Sequence, residues 1–248
     1  MTGEPEEILE TTLSNTAMPM FKEEPIHGPE EVQLLALLRE VQQVLADALN
    51  SLDSTSRPPI DVAYLGWTAV SVNQAAEGYL WLRDSGRVAA SKLLVRPALE
   101  AVFSGIAAVK DHRFLFRKAY SEWGEEKKMF ANDQDGQAAA NHALEDLKRA
   151  FKQACPGYPV ECKGISAKDT AQMADLLEIY DRVYRIYCQF THGALMAVME
   201  EGLKEATDPM DTGIVVWCVL MILDKLKEHT RAQIPDLPSL QMRLQRLQ

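Results

Sequence analysis

Apolar side chains return at every third or fourth position through nearly the whole chain, and no stretch of apolar–polar alternation bounded by hairpin turns interrupts that rhythm. A repeat near 3.6 gathers such residues on one face of an α-helix, whereas a half-buried strand needs a repeat of two. The plainest case is Val32, Leu34, Leu35, Leu38, Val41, Val44, Leu45 and Ala48. Gly28, Pro29 and the acids Glu30 and Glu31 stand just ahead of it, the usual order of a helix start. The expected fold class is therefore all-α, a helical bundle of seven to eight helices.

Breakers mark where each helix stops. Arg57-Pro58-Pro59 separates the first helix from a second over about 61–83. A third is expected over 88–111, with Pro97 forcing a kink or a restart. A fourth follows over 114–130, a turn over 132–136, and a fifth helix over 137–154. After the Pro156–Pro159 loop, Ser166-x-x-Asp169 resembles a capping box opening a sixth helix with Met173, Leu176, Tyr180 and Tyr187 on its apolar stripe. A bend at Thr191-His192-Gly193 leads into residues 194–204, and a last helix over 212–231 is stopped by Pro235 and Pro238. The second, third, sixth and last helices are expected to form the core. The four tryptophans, Trp67, Trp81, Trp123 and Trp217, read as core or interface aromatics.

Charge divides the chain more sharply than hydrophobicity does. The formal net charge is −10, yet residues 1–31 hold eight acids against one base, Lys22, which leaves only −3 on the remainder. Residues 1–28 therefore read as a disordered acidic tail, 29–234 as one helical domain, and 235–248 as a C-terminal tail. So acidic a balance argues against broad polyanion binding, while leaving room for a local RNA site on the near-neutral part. The longest apolar run, Gly213–Leu223, is too short for a bilayer that needs roughly 20 residues, so no membrane is expected as a partner. With no signal-peptide pattern at Met1–Glu10, the expected location is cytoplasmic, with reduced cysteines and a Cys155–Cys162 disulfide as the minor alternative.

Phosphate-binding glycine loops, the H-E-x-x-H zinc pattern, paired C-x-x-C and the G-x-S-x-G elbow are all missing, and no cofactor is expected. What remains is Arg185 and His192, seven residues apart in Tyr184-Arg185-Ile186-Tyr187-Cys188-Gln189-Phe190-Thr191-His192-Gly193. On a continuous helix that interval is two turns, so both side chains share a face. An imidazole titrating near pH 6.5 can carry a proton to or from a ribose hydroxyl, and a guanidinium can fork a phosphate. The plainer account makes this a solvated polar face. Arg96-Pro97-Ala98-Leu99-Glu100 adds an arginine and a glutamate four apart inside an otherwise apolar stretch. They read first as a salt bridge at the proline kink, second as support for His192 or a further phosphate contact.

Together, the R-P-x-x-E and Y-R-x(6)-H-G motifs resemble a group of uncharacterised bacterial all-helical proteins of unknown function, some of HEPN-like character. The resemblance spans about residues 61–201. It implies that Arg96, Glu100, Arg185 and His192 face a common pocket, with Arg96, Glu100 and Tyr184 as supporting residues. On the HEPN pattern, Arg185 and His192 would be the catalytic pair of a metal-independent ribonuclease, a toxin or defence effector, with RNA as substrate. A homodimer, joining one motif from each chain, and a cognate protein partner would go with it. The rival expectation is a non-catalytic helical binding or assembly module, or a sensor of anionic small ligands.

Overall fold

The computed structural model describes residues 28–52, 58–157, 164–191 and 208–247. The acidic tail, the bend at His192-Gly193, the helix expected over 194–204, and Cys162 lie outside the described residues. Every described element is helical: α1 (Pro29–Ser51), α2 (Ile60–Asp84), α3 (Val88–Lys92), α4 (Val95–Lys110), α5 (Arg113–Met129), α6 (Gln134–Ala154) and α7 (Ala167–Met173). The short α8 (Leu177–Ile179) runs through a π turn, Tyr180–Tyr184, into α9 (Arg185–Thr191), followed by α10 (Asp208–His229) and α11 (Leu237–Arg246). Nine of these helices have seven residues or more, against the seven or eight expected.

Three local causes account for the extra pieces. The helix expected over 88–111 breaks at Leu93-Leu94, and α4 restarts at Val95 so that Pro97 falls in its first turn, where the missing N–H costs least. The capping box forms as the sequence implies: the Ser166 hydroxyl accepts from the Asp169 backbone N–H, and the Asp169 carboxylate accepts from the Ser166 N–H. That helix then stops at Met173. Leu176 N–H donates back to the Ala171 carbonyl and Asp175 N–H to Gln172, with Asp175 at a φ of 60°. This is a helix-ending hydrogen-bond pair of the kind usually closed by glycine, here closed by an aspartate that also accepts from Lys110 Nζ at 2.5 Å. The third piece is residues 237–246, inside the segment read as a tail. They form α11, which buries Leu237, Leu240 and Leu244.

The core joins α1, α2, α4 and α10. Its largest contributors include Leu38, Leu45, Leu65, Tyr79, Leu99, Phe103 and Leu223, none more than 1% exposed. The expectation omitted α1, whose stripe is nonetheless buried along its length. From the π turn and α9, Tyr184 and Tyr187 add their rings to the inner layer. Gly105 lets α2 and α4 cross closely, since a Cβ there would stand 2.3 Å from Thr68 Oγ1. None of the four tryptophans is buried in this core, and Trp67 and Trp81 are 74% and 60% exposed. At the surface Lys128 pairs with Glu125, and the largely covered Lys225 pairs with Glu228.

Candidate functional site

Arg96 and Glu100 stand one turn apart on α4, and the Arg96 Nε donates to Glu100 Oε1 at 2.9 Å. The pair is half-exposed, 24% and 42% for the two side chains. The same carboxylate oxygen accepts the Tyr184 hydroxyl at 2.5 Å, tying the π turn to α4. The Arg96 guanidinium lies 5.6 Å from the Tyr184 ring centre, and Tyr180 stacks on Tyr184 at 5.0 Å. Phe103 closes the inner side of that ring. Burial first, then the bond to the Glu100 carboxylate, hold the Tyr184 phenol well above the ordinary tyrosine range. It stays a neutral donor at any physiological pH.

The π turn decides which side chains arrive here. A π turn accommodates one extra residue in its ladder, and that residue rotates everything after it by roughly 100° relative to a plain α-helix. Glu178 and Arg182 pair with each other on the solvent side at 3.0 Å, while Tyr184 and Tyr187 both turn inward. Arg185, the first residue of α9, is exposed, while Tyr184 before it is buried. Arg96, Glu100 and Tyr184 are thus brought together, and Arg185 sits beside them along the chain without joining their contact. His192 lies outside the described residues.

A second polar cluster was not anticipated. Arg83 Nη2 donates to Glu31 Oε1 at 2.5 Å, and the Thr212 hydroxyl donates to the same oxygen at 2.7 Å. Tyr79 and Thr212 share a hydrogen bond of 2.9 Å. Beside them the Tyr187 hydroxyl donates to Asp211, and Lys92 Nζ lies 3.8 Å from the other oxygen of that carboxylate. Arg83 is 0% exposed, Glu31 1% and Asp211 2%. Burial first, then the neighbouring Asp211 carboxylate, raise the Tyr187 phenol far above its usual range, and Tyr79 rises likewise, mainly through burial. Two carboxylates meet two cations, so the cluster is formally neutral.

The sequence carried a signal for this cluster. Glu31 precedes Leu34, Leu35 and Leu38 on the same stripe, and Arg83 continues the stripe of Val72, Ala76 and Tyr79. A charge in phase with the apolar face has to be buried with a partner. Read by position alone, Glu31 was a first-turn acid and Arg83 a helix end.

Elsewhere, Cys155 is a free thiol with its Sγ 3.4 Å from His112 Nε2. Among the described residues no group of three or more His, Cys, Asp or Glu could hold a metal ion, and no helix is long and apolar enough to cross a membrane. A model of a family of unknown function (DUF5677) matches residues 62–207, a span that includes both motifs. No curated protein and no solved structure matches the chain.

Proposed function

The chain belongs to that family of unknown function (DUF5677), and we infer that it is a HEPN-like, metal-independent endoribonuclease. The observation that carries this reading is Arg185, exposed at the head of a helix that continues unbroken to Thr191. If the same helical path reaches the next residue, His192 falls two turns from Arg185 on the same side. The imidazole would take the proton of the ribose 2′-hydroxyl. The 2′-oxygen then attacks phosphorus and the 5′-oxygen leaves with a proton, giving a 2′,3′-cyclic phosphate and a free 5′-hydroxyl. Arg185 would hold the scissile phosphate and offset the charge that builds on it. Arg96, Glu100 and Tyr184 would act as supports, fixing the start of α9 against α4. RNA is then the substrate, and a cytoplasmic toxin or defence effector with a cognate protein partner is the setting.

The test is cleavage of total RNA by the purified chain in the presence of a chelator, with end-group analysis of the products. Wild type should cut and leave cyclic phosphate ends. His192→Ala and Arg185→Ala should lose cleavage while melting as wild type does. Intact RNA with the wild-type chain overturns the reading.

One observation favours a second reading, a non-catalytic module or a sensor of anionic ligands. Glu100 is already engaged by both Arg96 and Tyr184, as a register-fixing cluster would be. That account expects a melting-temperature rise with nucleotides or other anionic metabolites and no cleavage.

A further inference from the structure

Tyr180 opens the π turn and differs from the other tyrosines around it. Tyr184, Tyr187 and Tyr79 each engage their hydroxyl with a protein partner, respectively Glu100, Asp211 and Thr212. The Tyr180 hydroxyl meets no such partner among the described residues, and its ring is half-buried. One face of that ring is taken, lying against Tyr184 at 5.0 Å with 23° between the planes. Among the described residues no second ring covers the other face. The backing is firm: the Tyr184 hydroxyl is bonded to Glu100, and its ring packs on Phe103 with the Arg96 guanidinium 5.6 Å from its centre.

The π turn sets a cation beside this ring. Five residues of a plain α-helix turn through about 500°, which would leave Tyr180 and Arg185 on different sides, about 140° apart. Here the Arg185 backbone N–H donates to the Tyr180 carbonyl, closing the wide turn. With the extra residue absorbed, the two side chains stand only about 40° apart, one turn along the axis. Asp181, the acid four residues before Arg185, makes no ion pair with it, and Arg185 has no carboxylate partner among the described residues. Arg182 and Arg96, by contrast, are occupied with Glu178 and Glu100. The result is an open aromatic face with an exposed, uncommitted guanidinium one turn away.

We propose that Tyr180 and Arg185 form a nucleotide subsite, the base stacking on the Tyr180 ring and a phosphate forked by Arg185. A ring alone takes any flat apolar group, and a guanidinium alone takes any anion. A nucleotide joins both through one sugar, a span comparable to a helical turn of about 5.4 Å. Stacking needs a base freed from its pairing partner, which points to single-stranded RNA over a duplex. The choice of RNA as ligand rests on the ribonuclease reading, and a free nucleotide is the other source of the same chemistry. To that reading Tyr180 adds a grip on the base beside the phosphate, tolerant of sequence because every base has a flat face.

The experiment follows fluorescence anisotropy of a short labelled oligoribonucleotide, 2′-O-methylated so that the chain cannot cut it, against the full chain over a series of salt concentrations. Wild type should bind the strand, and a duplex of the same sequence far more weakly. Tyr180→Leu, which keeps the apolar bulk, should raise the dissociation constant roughly tenfold to a hundredfold, with melting temperature and salt slope unchanged. Tyr180→Phe should bind as wild type does. Arg185→Gln should weaken binding too, but with a salt slope smaller by about 0.7, the signature of one lost phosphate contact. No binding by wild type overturns the proposal. So does a Tyr180→Leu variant that binds as well as wild type, even where the chain cuts total RNA. Strand binding that needs both residues, with total RNA left intact, upholds the subsite and ends the ribonuclease reading. Adenosine monophosphate competing at the same concentration as the strand upholds the subsite with a free nucleotide as its occupant.

Discussion

Glu31 with Arg83 and Glu100 with Arg96 are the same two functional groups in two settings. The first pair is closed off among α1, α2 and α10, with tyrosine and threonine hydroxyls completing its surroundings. The second sits half-open on α4 with one tyrosine beside it. Stripping water from a charge is costly, so the inner pair depends on its partners for its existence in the fold, whereas the outer one can fall back on solvent. No molecule from outside can reach the inner cluster without opening the core. The outer one can exchange a contact with a ligand at small cost to stability. A strong ion pair therefore marks architecture in one place and an available surface in the other.

The comparison is most exposed to Arg83→Met. It leaves the Glu31 carboxylate buried without its cation, and unfolding by urea should show a loss of about 3–5 kcal/mol. Adding Glu31→Leu should restore much of that, since a packed apolar pair can replace a buried ionic one. If Arg96→Met costs as much as Arg83→Met, the two settings are not different in kind.

Next in size is Tyr187→Phe, which removes the donor to Asp211 and should cost about 1–3 kcal/mol in the same measurement. Glu100→Gln, by contrast, should cost under about 1 kcal/mol, because its carboxylate is partly hydrated. On the ribonuclease reading it should still slow RNA cleavage, by loosening the hold of Tyr184 on the start of α9. A cleavage rate equal to wild type would restrict Glu100 to the fold.

The smallest effect at neutral pH tests the closure of the inner cluster by titration. The Tyr79 and Tyr187 phenols hold their protons more tightly in the folded chain than in the unfolded one. The stability they contribute is full below the ordinary tyrosine value of about 10 and is lost as pH rises above it toward the folded values. Their tyrosinate absorbance should appear together with unfolding and not before. Ionisation of either phenol below pH 10 in the folded chain would mean that the inner cluster is open to water.

Helical class and most helix starts were legible because they depend on local chemistry: periodic leucines in α1, proline in the first turn, the Ser166–Asp169 cap. Helix ends were less so. A glycine at a positive φ ends α2 at Gly86, but Asp175 takes the same role at the end of α7 with no glycine to announce it. The one-residue insertion at Tyr180–Tyr184 was equally hidden, since no glycine or proline marks it. For the candidate site, the salt bridge between Arg96 and Glu100 could be read from its spacing. The third member, Tyr184, was reached by motif resemblance, because its bond to Glu100 joins positions 84 residues apart. Glu31 and Arg83 were readable in principle from their phase, and were masked by their places at helix ends.

The bond from Thr212 to Glu31 spans 181 positions. On a ribosome, Glu31 is made 181 positions before its hydroxyl partner, so throughout that interval the first helix carries a carboxylate for which the finished arrangement does not yet exist. The nascent chain can form helices as it emerges, but it cannot close its centre until α10 leaves the exit tunnel. Final closure of the core therefore waits on that helix, and chains truncated before it should be cleared by proteases.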